Sequence, residues 1–369
     1  MMMNKVFPFD ELTWPEVEAL PRRTPLVLPL GGEQVQERLG KHIGSSEREG
    51  LLPSMPFGWP GSGLEIQPGI TEACLENLLT GLHEDGFEDT KILPPGAQKH
   101  PSLPTDGEQG KVVLIPIGHT EQHAYHLPLS TDTLIIEAIA QGVAAAAPEQ
   151  ATVLPVTPYG VSMHRKAFPG TFNTGGRAFE DFWLSVIDTL VGRGFDRFYL
   201  LSGHGGNCSF LTNVVKYAGE RHPRIFCATS WLYLSGPSGI AALEQHRRSR
   251  TGGMGHACEL ETSLILHLRP ELVRMEKAVD EIDFISTPAY FMDWVEGGAL
   301  VANPPWEDDT ASGAYGAGSL ASAENGKTWL EAAIAEKVDH VAEIHEQHYR
   351  REARRRSGYG RWGIDYSSK

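Results

Sequence analysis

No apolar run in this chain approaches the roughly twenty residues that a membrane-spanning helix needs. Cysteine is scarce. Cys74, Cys208, Cys227 and Cys258 stand far apart with no Cys-x-x-Cys pair, which fits reduced thiols in a cytosol rather than a disulfide framework. Positive charge is in deficit too, with 32 Lys and Arg against 47 Asp and Glu and a formal net charge of −15. That balance argues against a nucleic-acid partner or an anionic membrane surface. The opening Met1-Met2-Met3-Asn4-Lys5 leads into Phe7-Pro8-Phe9-Asp10 without the apolar core of a signal peptide. A soluble, cytoplasmic protein is the expectation. Hydrophobic residues make up 41% of 369, enough for a core in one large domain or two.

What is present is a succession of βα units. Val112 to Ile117 reads as a strand, and Asp132 to Ala147 as a helix closed by Pro148. Thr152 to Val156 is a short strand. Phe179, Phe182, Val186, Ile187 and Leu190 fall at helical spacing between Arg177 and Arg193, and Gly194 stops that helix. A strand at Phe198 to Leu201, a helix at Cys208 to Arg221 and a strand at Ile225 to Thr229 follow. Strands alternating with helices predict an α/β fold, a mostly parallel sheet covered on both faces. Gly326 to Arg356 is a long amphipathic helix ending in an arginine run, read as charge suited to a helix C-terminus plus a solvated tail. The Gly/Ser/Pro-rich region between Asp280 and Ala323, with Trp294 and Trp306, is a lid or an oligomer contact.

Three polar clusters follow apolar runs. Gly118-His119-Thr120-Glu121-Gln122-His123, with Asp132 nine residues beyond His123, comes directly after the strand at 112–117. Carboxylate, imidazole and carboxylate form a ligand set for a hard or borderline divalent metal. Ser202-Gly203-His204-Gly205-Gly206-Asn207 follows the next strand, and Gly255-His256-Ala257-Cys258-Glu259-Leu260-Glu261-Thr262 is the third cluster. In parallel sheets ligands bind beyond the carboxyl ends of the strands, where the first two clusters begin. Together they predict one metal-dependent active site.

The first hundred residues echo the later ones. Pro25 to Gln34 resembles Val112 to Gln122; Leu52 to Gly58 resembles Leu154 to Gly160; Asn77 to Asp89 resembles Ser185 to Arg197, in the same order. Residues 1–105 are therefore expected to be a degenerate partial α/β repeat or N-terminal extension without an active site. Residues 106–349 then form the catalytic domain and 350–369 a basic C-terminal tail. The chemistry is missing from the first copy, where Glu33-Gln34 runs into Val35 rather than a histidine.

With these residues assembled, the chain resembles the creatininase (creatinine amidohydrolase) family from about Lys111 to about Ala342. The pieces are Pro116-Ile117-Gly118-x-x-Glu121-Gln122-His123-x-x-His126-Leu127-Pro128-Leu129-x-Thr131-Asp132, Phe168-Pro169-Gly170-Thr171, Gly203-His204-Gly205-Gly206-Asn207 and Gly255-His256-Ala257-x-Glu259-x-Glu261-Thr262-Ser263. The resemblance implies a three-layer α/β/α sandwich carrying two divalent metal ions, Zn, Mn or Fe. It implies Glu121, Asp132 and His204 at one ion, and His123 with a bridging Asp132 at the other. Creatinine hydrolases proper have a glutamate where this chain has Gly206. The His-Gly-Gly-Asn branch implies Glu259 as the replacement ligand, with Glu261 the alternative ligand or a nearby base.

His256 is the candidate general acid for a leaving nitrogen. Asn207 either contacts substrate or caps a helix. Trp231 either stacks on substrate or fills the core, and His164 either lines the pocket or is structural. The expected reaction is hydrolysis of a C–N bond in a small amide, lactam or formamide by a metal-bridging hydroxide. A peptidase trimming a modified precursor and a non-catalytic metal-bound member are the alternatives. A homo-oligomer is expected, since the resemblance implies hexamers built from dimers.

Overall fold

The computed structural model describes residues 6–32, 35–40, 48–96, 103–163, 167–295 and 297–357. In chain order the N-terminal part has β1 (Val6–Pro8), α1 (Trp14–Glu18), β2 (Leu26–Pro29), α2 (Val35–Gly40), β3 (Glu49–Leu51), α3 (Ile70–Glu84) and β4 (Thr90–Leu93). The larger part follows with β5 (Val112–Ile117), α4 (Thr131–Ala146), β6 (Ala151–Val153), α5 (Gly176–Gly192), β7 (Arg197–Ser202), α6 (Gly205–Arg221) and β8 (Phe226–Thr229). It closes with α7 (Pro237–His246), β9 (Met254–His256), α8 (Glu259–Leu268), β10 (Asp280–Glu281), β11 (Tyr315–Ala317) and α9 (Ala323–Arg356).

The central sheet runs β6-β5-β7-β8, all parallel. Every residue of β5 is buried, as an all-apolar strand in the middle of a covered parallel sheet must be. Beside it, β10-β11-β9 forms a small antiparallel sheet that brings His256 in from the side. That sheet was not legible as strands in the sequence. Among the described residues, no helix is long and apolar enough to cross a membrane.

A second parallel sheet, β1-β3-β2-β4, is built from the first hundred residues. Its strands β3-β2-β4 have the neighbour order of β6-β5-β7, and the hydrogen bonds correspond. Leu52 N–H donates to Val27 O as Leu154 N–H donates to Leu114 O, both at 2.9 Å. Gly31 donates to Met55 O at 2.8 Å as Gly118 donates to Thr157 O at 2.9 Å. Phe87 closes onto Leu82 O at 2.9 Å as Phe195 closes onto Leu190 O at 3.1 Å. Gly86 and Gly194 take the same left-handed turn, φ 90° and 93°, where a side chain would be strained.

One apolar core runs through both parts. α3 packs on α5, and Phe57 is fully buried against Phe182 and Trp183, with ring centroids 6.1 and 6.3 Å away. Phe57→Ala is expected to cost about 3–5 kcal/mol, because the aromatic contacts vanish and the cavity cannot fully collapse. Urea unfolding of the full chain checks this. A single transition shifted to lower urea is the expected result, and two separated transitions would show that the parts fold independently.

Hydrogen bonds from the N-terminal part reach loops of the larger one. Leu129 and Ser130 N–H donate to Leu12 O and Asp10 O, each at 2.9 Å. Gly170 N–H donates to Asp85 Oδ2 at 2.9 Å, and Asn77 Nδ2 to Thr174 O at 2.6 Å. The loop so held donates Phe172 N–H to Thr120 O at 3.0 Å, and its Thr171 Oγ1 accepts Gln122 N–H at 3.1 Å. The N-terminal part thus supports, through one intermediate loop, the segment carrying Glu121 and His123.

Candidate metal centre

Glu121 and His123 lie on the loop leaving β5. Asp132 is the second residue of α4, where the helix N-terminus favours a carboxylate. His204 caps α6 at the end of β7, His256 ends β9, and Glu261 lies in the first turn of α8. All six are 3% exposed or less, so the cluster is sealed by protein. His204 Nδ1 stands 2.9 Å from Glu121 Oε1 and 3.3 Å from Asp132 Oδ2. His123 Nε2 stands 3.1 Å from Asp132 Oδ1. His256 Nδ1 lies 3.8 Å from Glu121 Oε1, and its ring packs 4.1 Å from that of His123. Donor atoms converge in groups that could hold an ion: Glu121, His123 and His256; His123, Asp132 and Glu261; His119, Glu121 and His204.

The outer nitrogens of three imidazoles show what the inner ones can do. His123 Nδ1 donates to Glu121 O at 3.1 Å, His204 Nε2 to Val161 O at 2.9 Å and His256 Nε2 to Gln122 O at 2.8 Å. A carbonyl can only accept, so each neutral ring carries its hydrogen outside and turns a bare nitrogen toward the carboxylates. That arrangement fixes the tautomer of metal-binding histidines. Burial alone would lower the pKa of His204, but Glu121 and Asp132 outweigh it and push it up to about 9. His123 is raised for the same reason, Asp132 overcoming burial. His126 goes the other way, lowered to about 4 by burial and by His123, and its Nε2 pairs with Thr262 Oγ1 at 2.9 Å.

Two glycines are required here by close approach. A Cβ on Gly203 would stand 2.3 Å from Asp132 O, and one on Gly206 would stand 2.3 Å from His204 Nε2 and 2.4 Å from Val161 O. Gly206 is therefore filled space, with no room for a glutamate. Ala124 and Ala257, each directly after a cluster histidine, hold left-handed backbone at φ 54° and 49°. Such non-glycine residues cost on the order of 1–3 kcal/mol and persist where a site over-determines them. Nothing about an alanine signals this in sequence.

The remaining expected site residues divide. Glu259, expected to complete the second metal position, turns away: its Oε1 accepts Arg248 N–H at 2.9 Å and its Oε2 accepts Ser249 N–H at 2.8 Å. Glu261 takes the place beside His123 and Asp132, and its Oε2 also accepts Ala257 N–H at 2.6 Å. Asn207 spends both ends of its amide on backbone, accepting from Val161 N at 2.9 Å and donating to Gly118 O at 3.3 Å. It pins three loops together rather than offering an amide to a ligand. Trp231 is 49% exposed, 6.5 Å from Trp294. His164 lies outside the described residues. The roof was not assigned residue by residue from sequence: Trp306 sets its ring edgewise on His256 at 5.1 Å, and Gln122 Nε2 donates to Gly313 O at 2.9 Å.

Buried carboxylates and outward-anchored imidazoles gathered beyond the carboxyl ends of a parallel sheet form a cluster that could hold metal ions in an α/β fold. The comparisons with known proteins agree. The Creatininase family model, described as creatinine amidohydrolase, matches residues 98–341, and the chain belongs to that family, whose members are hydrolases of C–N bonds. A mycofactocin precursor peptide peptidase of Mycolicibacterium smegmatis is 34% identical over 175 residues, covering 46% of this chain and 62% of that one. The match therefore spans less than two thirds of that relative. A creatinine amidohydrolase of Pseudomonas putida is 27% identical over 248 residues, covering 63% and 89%. A solved creatininase with Mn is 25% identical with TM-score 0.53, covering 64% and 93%. A mutant creatininase of Zn-Zn type is 25% identical with TM-score 0.52, covering 64% and 92%.

Proposed function

We propose that this protein is a binuclear metal-dependent amidohydrolase that opens a C–N bond in a small amide, lactam or formamide. The sealed cluster carries the reading. Three carboxylates are buried among imidazoles, a donor set that suits divalent cations. In this reading Glu121, Asp132 and His204 would hold one ion, and His123, Asp132 and Glu261 the other. Bound ions would polarise a carbonyl oxygen and lower the pKa of a water. The chain does the rest. His256 Nε2 lies 2.8 Å from Gln122 O and 3.3 Å from Gln122 Nε2; the shorter contact places its hydrogen on Nε2, so proton traffic passes through Nδ1. Nδ1 takes a proton as water attacks and returns it to the departing nitrogen. Trp306 and the roof exclude bulk water from that step.

A second reading, trimming of a precursor peptide, is favoured by the 34% identity to the mycofactocin peptidase. The burial of the cluster favours the small substrate. Metal content is the test, by plasma mass spectrometry on the purified full chain, followed by assay on cyclic amides and formamides beside a peptide panel. About two transition-metal ions per chain and turnover of the small amides are expected. Peptide cleavage alone would transfer the assignment, and a protein that takes up no metal would refute it.

Retention depends on pH with a definite sign. The metal-free His204 is protonated up to about pH 9, so an ion must displace that proton at any lower pH. Affinity therefore falls as pH falls, by about tenfold per unit for each proton displaced. Titration with Zn²⁺ between pH 6 and 8.5 checks it, and a flat profile would contradict the ligand role of His204.

For the N-terminal part we propose a degenerate second copy of the α/β unit, residues 1–105. It serves as a support for the loops of the catalytic domain, 106–349; residues 350–356, expected to begin a tail, are instead the last turns of α9. The corresponding strand order and hydrogen bonds support this, as does its lack of the histidines. A homo-oligomer and a cytoplasmic setting belong to the same proposal.

A further inference from the structure

We infer that His119 is a positioning residue, a built-in N–H donor that orients the carboxylate of Glu121, and not a metal ligand. The inference rests on the metal reading proposed above. By proximity alone His119 belongs with the ligands. It is fully buried, it groups with Glu121 and His204, and its ring lies 4.4 Å from that of His204. Its outer nitrogen tells the opposite story. His119 Nδ1 accepts the backbone N–H of Gly160 at 2.9 Å. A backbone N–H can only donate, so Nδ1 carries the lone pair and the hydrogen of the neutral ring sits on Nε2. That Nε2 stands 3.9 Å from Glu121 Oε2, longer than a hydrogen bond but close enough for its N–H dipole to act on the carboxylate.

One short segment thus sets two neighbouring rings to opposite polarity. The N–H of Gly160 makes His119 a donor toward the cluster, and the carbonyl of Val161 makes His204 an acceptor toward it. Asn207 fixes that segment by accepting Val161 N–H. Outer partners of metal-binding carboxylates hold them in one orientation, and their loss typically weakens metal affinity about 10–100-fold. An Nε2–H imidazole has no lone pair to give an ion and is suited to this role.

The test uses the full chain and Zn²⁺ as the probe. His119→Phe keeps a flat ring without a donor, and His119→Gln keeps an N–H. The expected result is that His119→Phe binds Zn²⁺ about 10–100-fold more weakly at unchanged stoichiometry, while His119→Gln recovers most of the affinity. A loss of one ion per chain in His119→Gln would make His119 a ligand and overturn the inference. Wild-type affinity in His119→Phe would leave it a packing residue and overturn it equally. Long-range ¹H–¹⁵N spectra of histidine-labelled protein, assigned with His119→Gln, add a direct reading. His119 should show a protonated Nε2 and a bare Nδ1 with and without Zn²⁺, and the reverse tautomer refutes the argument. Should the wild type take up no Zn²⁺, the metal reading and the positioning role fall together. The spectrum would still report whether the tautomer was read correctly.

Discussion

Replacing His123 with alanine is expected to empty the metal centre and to lower hydrolysis by about a thousandfold or more, roughly 4 kcal/mol of transition-state stabilisation. Its Nε2 is the imidazole nitrogen beside Asp132, and its Nδ1–H is held by Glu121 O. The substitution therefore removes a ligand and also releases the turn between two others. His123 lies outside the strands of the sheet, so the variant should remain folded. Plasma mass spectrometry and circular dichroism on the same sample separate these effects. A folded variant that keeps both ions and its rate would end the ligand assignment.

The second large effect is a contrast between two glutamates two residues apart. Glu261→Gln is expected to lose metal and activity. Glu259→Gln is expected to keep metal content but lose about 1–3 kcal/mol of stability, because the N–H groups of Arg248 and Ser249 lose a buried carboxylate. Metal analysis and thermal unfolding of both variants make the comparison. If Glu259→Gln were the one to lose metal, the assignment drawn from the motif would stand against the geometry.

These two residues also mark where the sequence stops being readable. Both lie in the first turn of α8, and at about 100° per residue they point to nearly opposite sides of the helix. A motif gives their spacing. Which side faces the cluster depends on how β9 enters from the antiparallel sheet, and no local pattern encodes that. The βα units from β5 to β8 were legible because apolar runs and helical periodicity are local properties, and their ends fell within about three residues of expectation. Glu121, His123, Asp132 and His204 were legible for the same reason, since each follows a strand or opens a helix in the chain's own order. The polarity of His119 was hidden, because it is set by Gly160, 41 residues away. The left-handed alanines were hidden as well, because the strain belongs to the site and not to the residue.

The contact between α3 and α5 has a consequence for how the protein behaves on dilution. Two folded units that touch only as separate molecules part when they become scarce. Here they share one backbone, and tethering of this kind is equivalent to an effective concentration on the order of millimolar. The bonds Asn77 to Thr174, Asp85 to Gly170 and Pro53 to Tyr159 therefore form at any abundance of the protein. The loops that shape the metal centre lean on a neighbour that cannot diffuse away, so this support does not weaken as the protein becomes dilute.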